Sequence, residues 1–249
     1  MESIEVPTGE LVLTVGADTA VGFQYPRNFD VLHVAPGLLA VADGMGAGEG
    51  SAAAGRIAMQ VLATEVGADA SPPRLRAVVG KAQRKVRAIG DQLGELAGCT
   101  LTALVPGASG DPHSGWIVHI GDSRAYRLRG GLLELLTVDH TAAWLGAIYG
   151  WYPADSPEAA RARYHLTRYV GHPALPEPDV LSVALRPGDV YCLCTDGVSE
   201  PVRYETLAEL MGSGAHPTDI VRALLAETLA AGGADNATAV VVRVDPARP

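Results

Sequence analysis

No stretch of this sequence stays apolar for the roughly 20 residues that a membrane-spanning helix needs. Its beginning, Met1 to Glu10, carries Glu2, Glu5 and Glu10 where an export signal would be basic, so the expectation is a soluble, cytoplasmic protein without membrane partners. Basic stripes are missing too. With 19 Lys and Arg against 28 Asp and Glu, the formal charge is -9, which argues against nucleic acid as a partner. The one basic cluster, Arg74 to Arg87, falls on a helical pattern whose apolar face is Leu75, Val78, Val79, Ala82, Val86, Ile89, Leu93 and Leu96. Lys81, Arg84, Lys85 and Arg87 read as its wet side. Cysteine is scarce: Cys99, Cys192 and Cys194 lie inside apolar, strand-like runs, as reduced buried thiols do, and no second pair lies near Cys192 and Cys194 to complete a zinc site. Aromatics make up 5% of the chain. Several gather at Trp144, Tyr149, Trp151 and Tyr152, where they are expected to form the small core of an inserted segment.

What is present is a hydrophobic fraction of 48% in 249 residues, enough for one substantial core. Strands are expected at Leu11 to Val15, Val31 to Val34 and Leu38 to Ala42, with an irregular link from Ala17 to Arg27. Helices follow from Ser51, as the cap, to about Val66, and from Ser71-Pro72-Pro73 to about Leu96. The period then changes to two. Cys99 to Val105, Gly115 to Ile120, Ser123 to Leu128 and Leu132 to Leu136 read as an antiparallel meander, and Val138 to Gly171 as a flap with a short helix at Pro157 to Tyr164. Strands at Asp179 to Leu185 and Val190 to Thr195, helices at Tyr204 to Met211 and Thr218 to Ala231, a strand at Ala237 to Val244 and a tail at Asp245 to Pro249 complete the chain. Strand runs with segregated helix pairs predict an α+β fold: two stacked, mainly antiparallel β-sheets flanked by helix pairs.

One motif recurs. Leu38 to Gly46 reads Leu-Leu-Ala-Val-Ala-Asp-Gly-Met-Gly, a buried strand that delivers Asp43 at its end. Trp116 to Asp122 and Val190 to Gly197 repeat the pattern with Asp122 and Asp196, and Asp235-Asn236 reverses it before Ala237 to Val244. A lone Asp-Gly is ordinary turn chemistry. Four carboxylates gathered at apolar strand ends are different, because each is costly to keep there without water or a shared cation. Asp43, Asp196 and Asp235 are hard oxygen donors with no His or Cys in ligand spacing, which selects magnesium or manganese. Gly44 adds a carbonyl that no side chain obstructs. His119 reads as a satisfied mid-strand histidine, and His140 as a structural residue beside the flap.

Taken in order, Val41-Ala42-Asp43-Gly44-Met45-Gly46, Gly98-Cys99-Thr100, Ile120-Gly121-Asp122-Ser123-Arg124-Ala125-Tyr126, Leu136-Thr137-Val138-Asp139-His140-Thr141, Pro187-Gly188-Asp189, Cys194-Thr195-Asp196-Gly197 and Asp235-Asn236 resemble the metal-dependent protein phosphatases of the 2C type in their bacterial form. The resemblance spans nearly the whole chain. It implies a single phosphatase domain over 1–249 with a flap at about 138–171. It also implies two or three Mn2+ or Mg2+ ions: one on the catalytic set Asp43, Asp196 and Asp235, a second on Asp43 and the Gly44 carbonyl, and a third on Asp122 and Asp196. The implied reaction is hydrolysis of phosphoserine or phosphothreonine in a protein by a hydroxide bridging the metals, without a covalent intermediate.

The chain departs from the family pattern at its phosphate end. An Arg is usual three residues before Asn-Glu-Asp or Asn-Gln-Asp; here Tyr25 takes that place and Asn28-Phe29-Asp30 follows. Asp30 is expected to bind a metal through water, and Arg27 or Tyr25 to face the substrate phosphate, although Tyr is no equal substitute for a bidentate guanidinium. The loop from Asp43 to Glu49 is about three residues shorter than usual and lacks the His that follows its glycines. These departures keep two alternatives open: a phosphatase of a small phosphorylated metabolite, and a weakly active regulatory module that binds a phosphoprotein.

Overall fold

The computed structural model describes residues 1–67, 69–107, 111–153 and 155–247. Its first sheet runs in the order β1 (Glu2–Thr8), β2 (Leu11–Ala20), β11 (Ala237–Pro246), β10 (Val190–Cys194), β7 (Arg124–Arg129), β8 (Leu132–Leu135). The second runs β3 (Val31–Ala35), β4 (Leu38–Ala42), β5 (Leu101–Pro106), β6 (Ser114–Ile120), β9 (Asp179–Ala184). All these pairings are antiparallel.

Strand alternation decides which side chains meet. Leu39 and Val41 of β4 point between the sheets, where they meet Leu13, Val15, Leu193, Val240 and Val242 in a sealed core. Leu38, Ala40 and Ala42 point the other way, onto helices α1 (Glu49–Glu65) and α2 (Pro72–Leu93). On the opposite side, Cys192 and Cys194 of β10 face α6 (Tyr204–Met211) and α7 (Pro217–Ala230) as free, buried thiols. Central strands are thus buried on both faces, which is why they read as continuous apolar runs. The result is the layered helix-sheet-sheet-helix fold expected. Among the described residues no helix is long and apolar enough to cross a membrane.

Several expectations are corrected. The strands from β5 to β8 do not form one meander: β5 and β6 pair in the second sheet, β7 and β8 in the first. The chain changes sheets at Gly121-Asp122-Ser123, where Gly121 has φ of +116° and an added Cβ would lie 2.6 Å from Thr100. The first ten residues hold β1, whose Ile4 and Val6 flank Glu5, and pairing with β1 and β11 carries β2 on to Ala20. Asp245 and Pro246 belong to β11; Arg248 and Pro249 of the expected tail lie outside the described residues.

Ser51 does not cap α1. Gly48 holds that position, Ser51 Oγ donates to the Gly46 carbonyl at 3.0 Å, and the Glu95 carboxylate, delivered by the turn after α2, accepts the Gly50 N–H. Helix α2 stops at Leu93 because Gly94 turns left-handed, so Leu93 and Leu96 are about half exposed. The flap contains α3 (Ala142–Tyr149) and α4 (Pro157–Ala162). Its aromatics do not form their own core: Trp144, Tyr149 and Trp151 are exposed, while Tyr152 folds back on Gly146 and donates to the Ala142 carbonyl at 2.6 Å. Two helices this short cannot enclose four large rings.

Candidate metal centre

Asp43, Asp122, Asp196 and Asp235 meet at one end of the stacked sheets, around a cavity of about 260 Å³ that Tyr25, Gly44, Thr100 and Asn236 also line. The second sheet supplies Asp43 after β4 and Asp122 after β6. The first supplies Asp196 after β10, opening the short helix α5 (Asp196–Ser199), and Asp235 ahead of β11.

Local bonds hold the backbone that carries Asp43 and Asp122 and one carboxylate oxygen of Asp235. The Asp43 N–H donates to Thr100 Oγ1 at 2.9 Å and its carbonyl accepts the Thr100 N–H at 2.8 Å. Thr100 Oγ1 also lies 2.6 Å from Ser123 Oγ, so one hydroxyl ties the end of β4 to the turn that carries Asp122. That turn is held from beneath: Gly121 N–H donates to His140 Nδ1 at 3.0 Å, and His140 N–H returns a bond to the Gly121 carbonyl at 2.8 Å. Asn236 anchors Asp235 by donating its N–H to Oδ1 at 2.7 Å and accepting Gly22 N–H on its own side chain at 3.0 Å. Gly44 can bear no side chain, since a Cβ would lie 2.7 Å from Ser51 Oγ and 2.8 Å from the Phe29 carbonyl.

Asp30 sits behind the cavity wall. Its Oδ2 accepts from Thr195 Oγ1 at 2.9 Å and from Thr238 Oγ1 at 2.6 Å, while its Oδ1 is buried without a hydrogen-bond partner. Asp196 Oδ1 is likewise buried and unpartnered. Arg27 stands outside: its guanidinium donates to Glu49 at 2.8 Å and lies 5.1 Å above the Phe29 ring. Phe29 is buried and meets Tyr25 edge-on, which leaves the Tyr25 phenol on the cavity.

The electrostatics are one-sided. Among the described residues, no Lys, Arg or His lines this cavity. Burial, followed by repulsion from neighbouring carboxylates, pushes Asp43 and Asp122 well above the ordinary carboxylate range. Burial also raises Asp30 to about 7, Asp196 to about 6 and Asp235 above its ordinary value. Tyr25 is raised by burial and then by the nearby Asp235. No group of three or more acidic, His or Cys side chains among the described residues is already drawn tightly around one point. The donor chemistry nevertheless fits a hard divalent ion: among the described residues all candidate donors are oxygens, two carboxylate oxygens are buried without a partner, and no Lys, Arg or His lines the cavity itself.

Sequence reading overlooked the hydroxyls of Thr195 and Thr238, although both lie within three residues of a singled-out Asp. It also gave no role to Arg124 and Asp139, which form a two-bond ion pair at 2.9 and 2.6 Å in the groove beside Asp122, nor to Glu200 and Arg163, 3.4 Å apart along the same groove. No local pattern marks Glu200 or Arg163. His119 is satisfied as expected, between Thr102 Oγ1 at 2.9 Å and the Val138 carbonyl at 3.0 Å.

Comparison with known proteins gives this geometry its context. The serine/threonine protein phosphatase PstP of Mycobacterium tuberculosis is 33% identical over 244 residues, covering 94% of this chain and 45% of PstP. This chain therefore spans about half the length of that relative. The crystal structure of the PstP catalytic domain in complex with two manganese ions superposes with a TM-score of 0.82 at 32% identity, covering 94% of this chain and 99% of that one. The PPM Ser-Thr phosphatase MsPP from Mycobacterium smegmatis, solved with cacodylate, gives 0.80 at 29% identity over 94% and 98%. Residues 28–231 match the family model described as protein phosphatase 2C, and with that match and the PstP identity the chain belongs to the protein phosphatase 2C family.

Proposed function

We propose that this chain is a Mg- or Mn-dependent phosphatase acting on phosphoserine and phosphothreonine in protein substrates. The observation that carries the reading is the meeting of four carboxylates from two sheets around one cavity that, among the described residues, no Lys, Arg or His lines. Asp43, Asp196 and Asp235 would hold one ion, Asp43 with the Gly44 carbonyl a second, and Asp122 with Asp196 a third. Bound there, divalent ions supply Lewis acidity that lowers the pKa of water and offsets charge on a phosphoryl group. The protein's own part is positional. Thr100 and Ser123 hold Asp43 and Asp122 in register, Asn236 fixes Asp235, and the Tyr25 phenol offers a neutral donor at the rim. The two manganese ions of the PstP catalytic domain support the choice of metal. Residues 1–249 would act as one phosphatase domain with the flap at about 138–171, and three buried free thiols favour the reducing cytoplasm.

A second reading has an observation of its own. With Arg27 paired to Glu49 and Tyr25 on the cavity, no guanidinium among the described residues lines the cavity itself, which suits a small phosphoester or a module that binds a phosphoprotein with little turnover. Hydrolysis of p-nitrophenyl phosphate and a phosphothreonine peptide, with and without Mn2+, separates the cases. Metal-dependent turnover of both, abolished in Asp43→Asn, is the expected result. Turnover of the small ester alone favours a metabolite substrate, and turnover of neither favours the binding module.

A further inference from the structure

With Asp30 ionised, as a cation bound beside it would keep it, the hydrogen bonds around its carboxylate can run in only one direction. Thr238 Oγ1 has one proton, and it goes to Asp30 Oδ2 at 2.6 Å. Thr19 Oγ1, 2.6 Å from Thr238 Oγ1, must then be the donor in that contact. Having given its proton away, Thr19 accepts from Asn28 Nδ2 at 2.7 Å. From the other side, the Thr238 N–H donates to Thr195 Oγ1 at 3.0 Å, and Thr195 passes its own proton to the same Asp30 Oδ2 at 2.9 Å. Two donor chains therefore end on one carboxylate oxygen. Every proton in them points toward Asp30, and Oδ1 is left buried with no partner.

The chains join both sheets. Thr19 lies on β2 and Thr238 on β11, where the pairing sets them opposite each other; Asp30 immediately precedes β3 of the second sheet. Asn28 closes the arrangement by accepting the Asp30 N–H on its Oδ1 at 3.0 Å. Its two ends are thus both used, while Phe29 between them is buried away from the chain against Tyr25. The unusual residue at position 29 leaves this network untouched. Asp30 is also the carboxylate whose charge weighs most on Asp43.

We propose that Thr19, Thr195 and Thr238, with Asn28, are positioning residues that saturate Asp30 Oδ2 and so hold Oδ1 as an oriented, charged acceptor for a hydrated divalent cation beside Asp43. This rests on the metal-centre reading above and adds the residues that set its affinity. A buried carboxylate with both oxygens partnered would have nothing to offer a ligand; one with a doubly held Oδ2 has one free oxygen and no freedom to rotate away.

The test is calorimetric titration of Mn2+ into the intact protein, with thermal unfolding in parallel. Thr238→Val keeps shape and removes the hydroxyl. It is expected to weaken Mn2+ binding about tenfold or more, as loss of an outer partner of a metal ligand typically does, while Thr238→Ser restores binding. Equal binding in wild type and Thr238→Val overturns the proposal, and so does failure of Thr238→Ser to rescue, which would make the effect one of packing. Should Thr238→Val not fold, Thr19→Val at the exposed far end is expected to weaken binding in the same direction, and unchanged affinity there overturns the proposal equally. Absence of Mn2+ binding by the wild-type protein would instead sink the metal-centre reading itself.

Discussion

A carboxylate at the end of a buried strand was the most legible residue in this chain, because apolar runs of known period leave little choice about where the next polar side chain emerges. Asp43, Asp122, Asp196 and Asp235 do share a cavity. The threonines behind them were not legible: Thr195 and Thr238 meet only through the register of β10 and β11, which no local pattern encodes. Two further residues allow predictions. Asp189 is sealed from solvent and accepts Arg129 through two bonds, at 2.7 and 2.6 Å, plus the Arg186 N–H at 2.9 Å. Asp189→Ala would remove these charge-assisted bonds and leave the partly solvated Arg129 guanidinium and the Arg186 N–H without them, and chemical denaturation should show a loss of about 1.5–3 kcal/mol. His119 is buried and kept neutral, its pKa pushed down to about 4 first by burial and then by the facing His140. In the unfolded chain it titrates near 6.5, so U binds more protons than N below that pH. Its contribution is present above about 6.5 and is lost as pH falls toward 4, to a limit of about 3 kcal/mol. Denaturation midpoints at pH 7 and pH 4.5 should therefore converge more closely for His119→Gln than for wild type; an identical acid slope would mean that the imidazole is not what titrates.

At the scale of elements, β4 and α6 fall on the residues expected, since a glycine-bounded apolar run and a clean amphipathic octet leave little room for error. Errors occur where a distant partner decides. The β6–β7 turn reads as a hairpin in sequence but moves the chain from one sheet to the other, because Gly121 and the His140 contacts aim β7 at β10. Helix α1 shows the same effect at its start. Its capping carboxylate comes from Glu95, more than forty positions on in the chain, and satisfies Gly50 N–H where Ser51 was expected to serve. Glu95→Ala should lower stability by about 1 kcal/mol, the usual worth of an N-terminal cap, whereas Ser51→Ala should not show a capping loss at all. A larger effect from Ser51→Ala than from Glu95→Ala in equilibrium unfolding would reverse that assignment.

At the scale of the whole molecule, the centre is a seam. Asp43 and Asp122 belong to the second sheet, Asp196 and Asp235 to the first, so a divalent ion bound among them would join the two layers and link folding to binding. The same geometry makes the centre unfavourable without a cation, because burial raises every one of these carboxyl groups above its ordinary pKa and repulsion from neighbouring carboxylates adds to it at Asp43, Asp122 and Asp196. Two opposite effects follow for one substitution. Asp43→Asn removes a buried charge from the repelling set, so in EDTA the variant should unfold at a temperature equal to or above that of wild type. Saturating Mn2+ should raise the wild-type transition, by about 2.7 kcal/mol when the free ion is about 100 times its Kd, and should leave Asp43→Asn nearly unmoved. The order of the two proteins therefore reverses between EDTA and Mn2+. Thermal unfolding of both in each condition reads this directly, and a wild-type transition that Mn2+ leaves unshifted would show that the seam is closed by protons shared between carboxyl groups rather than by metal.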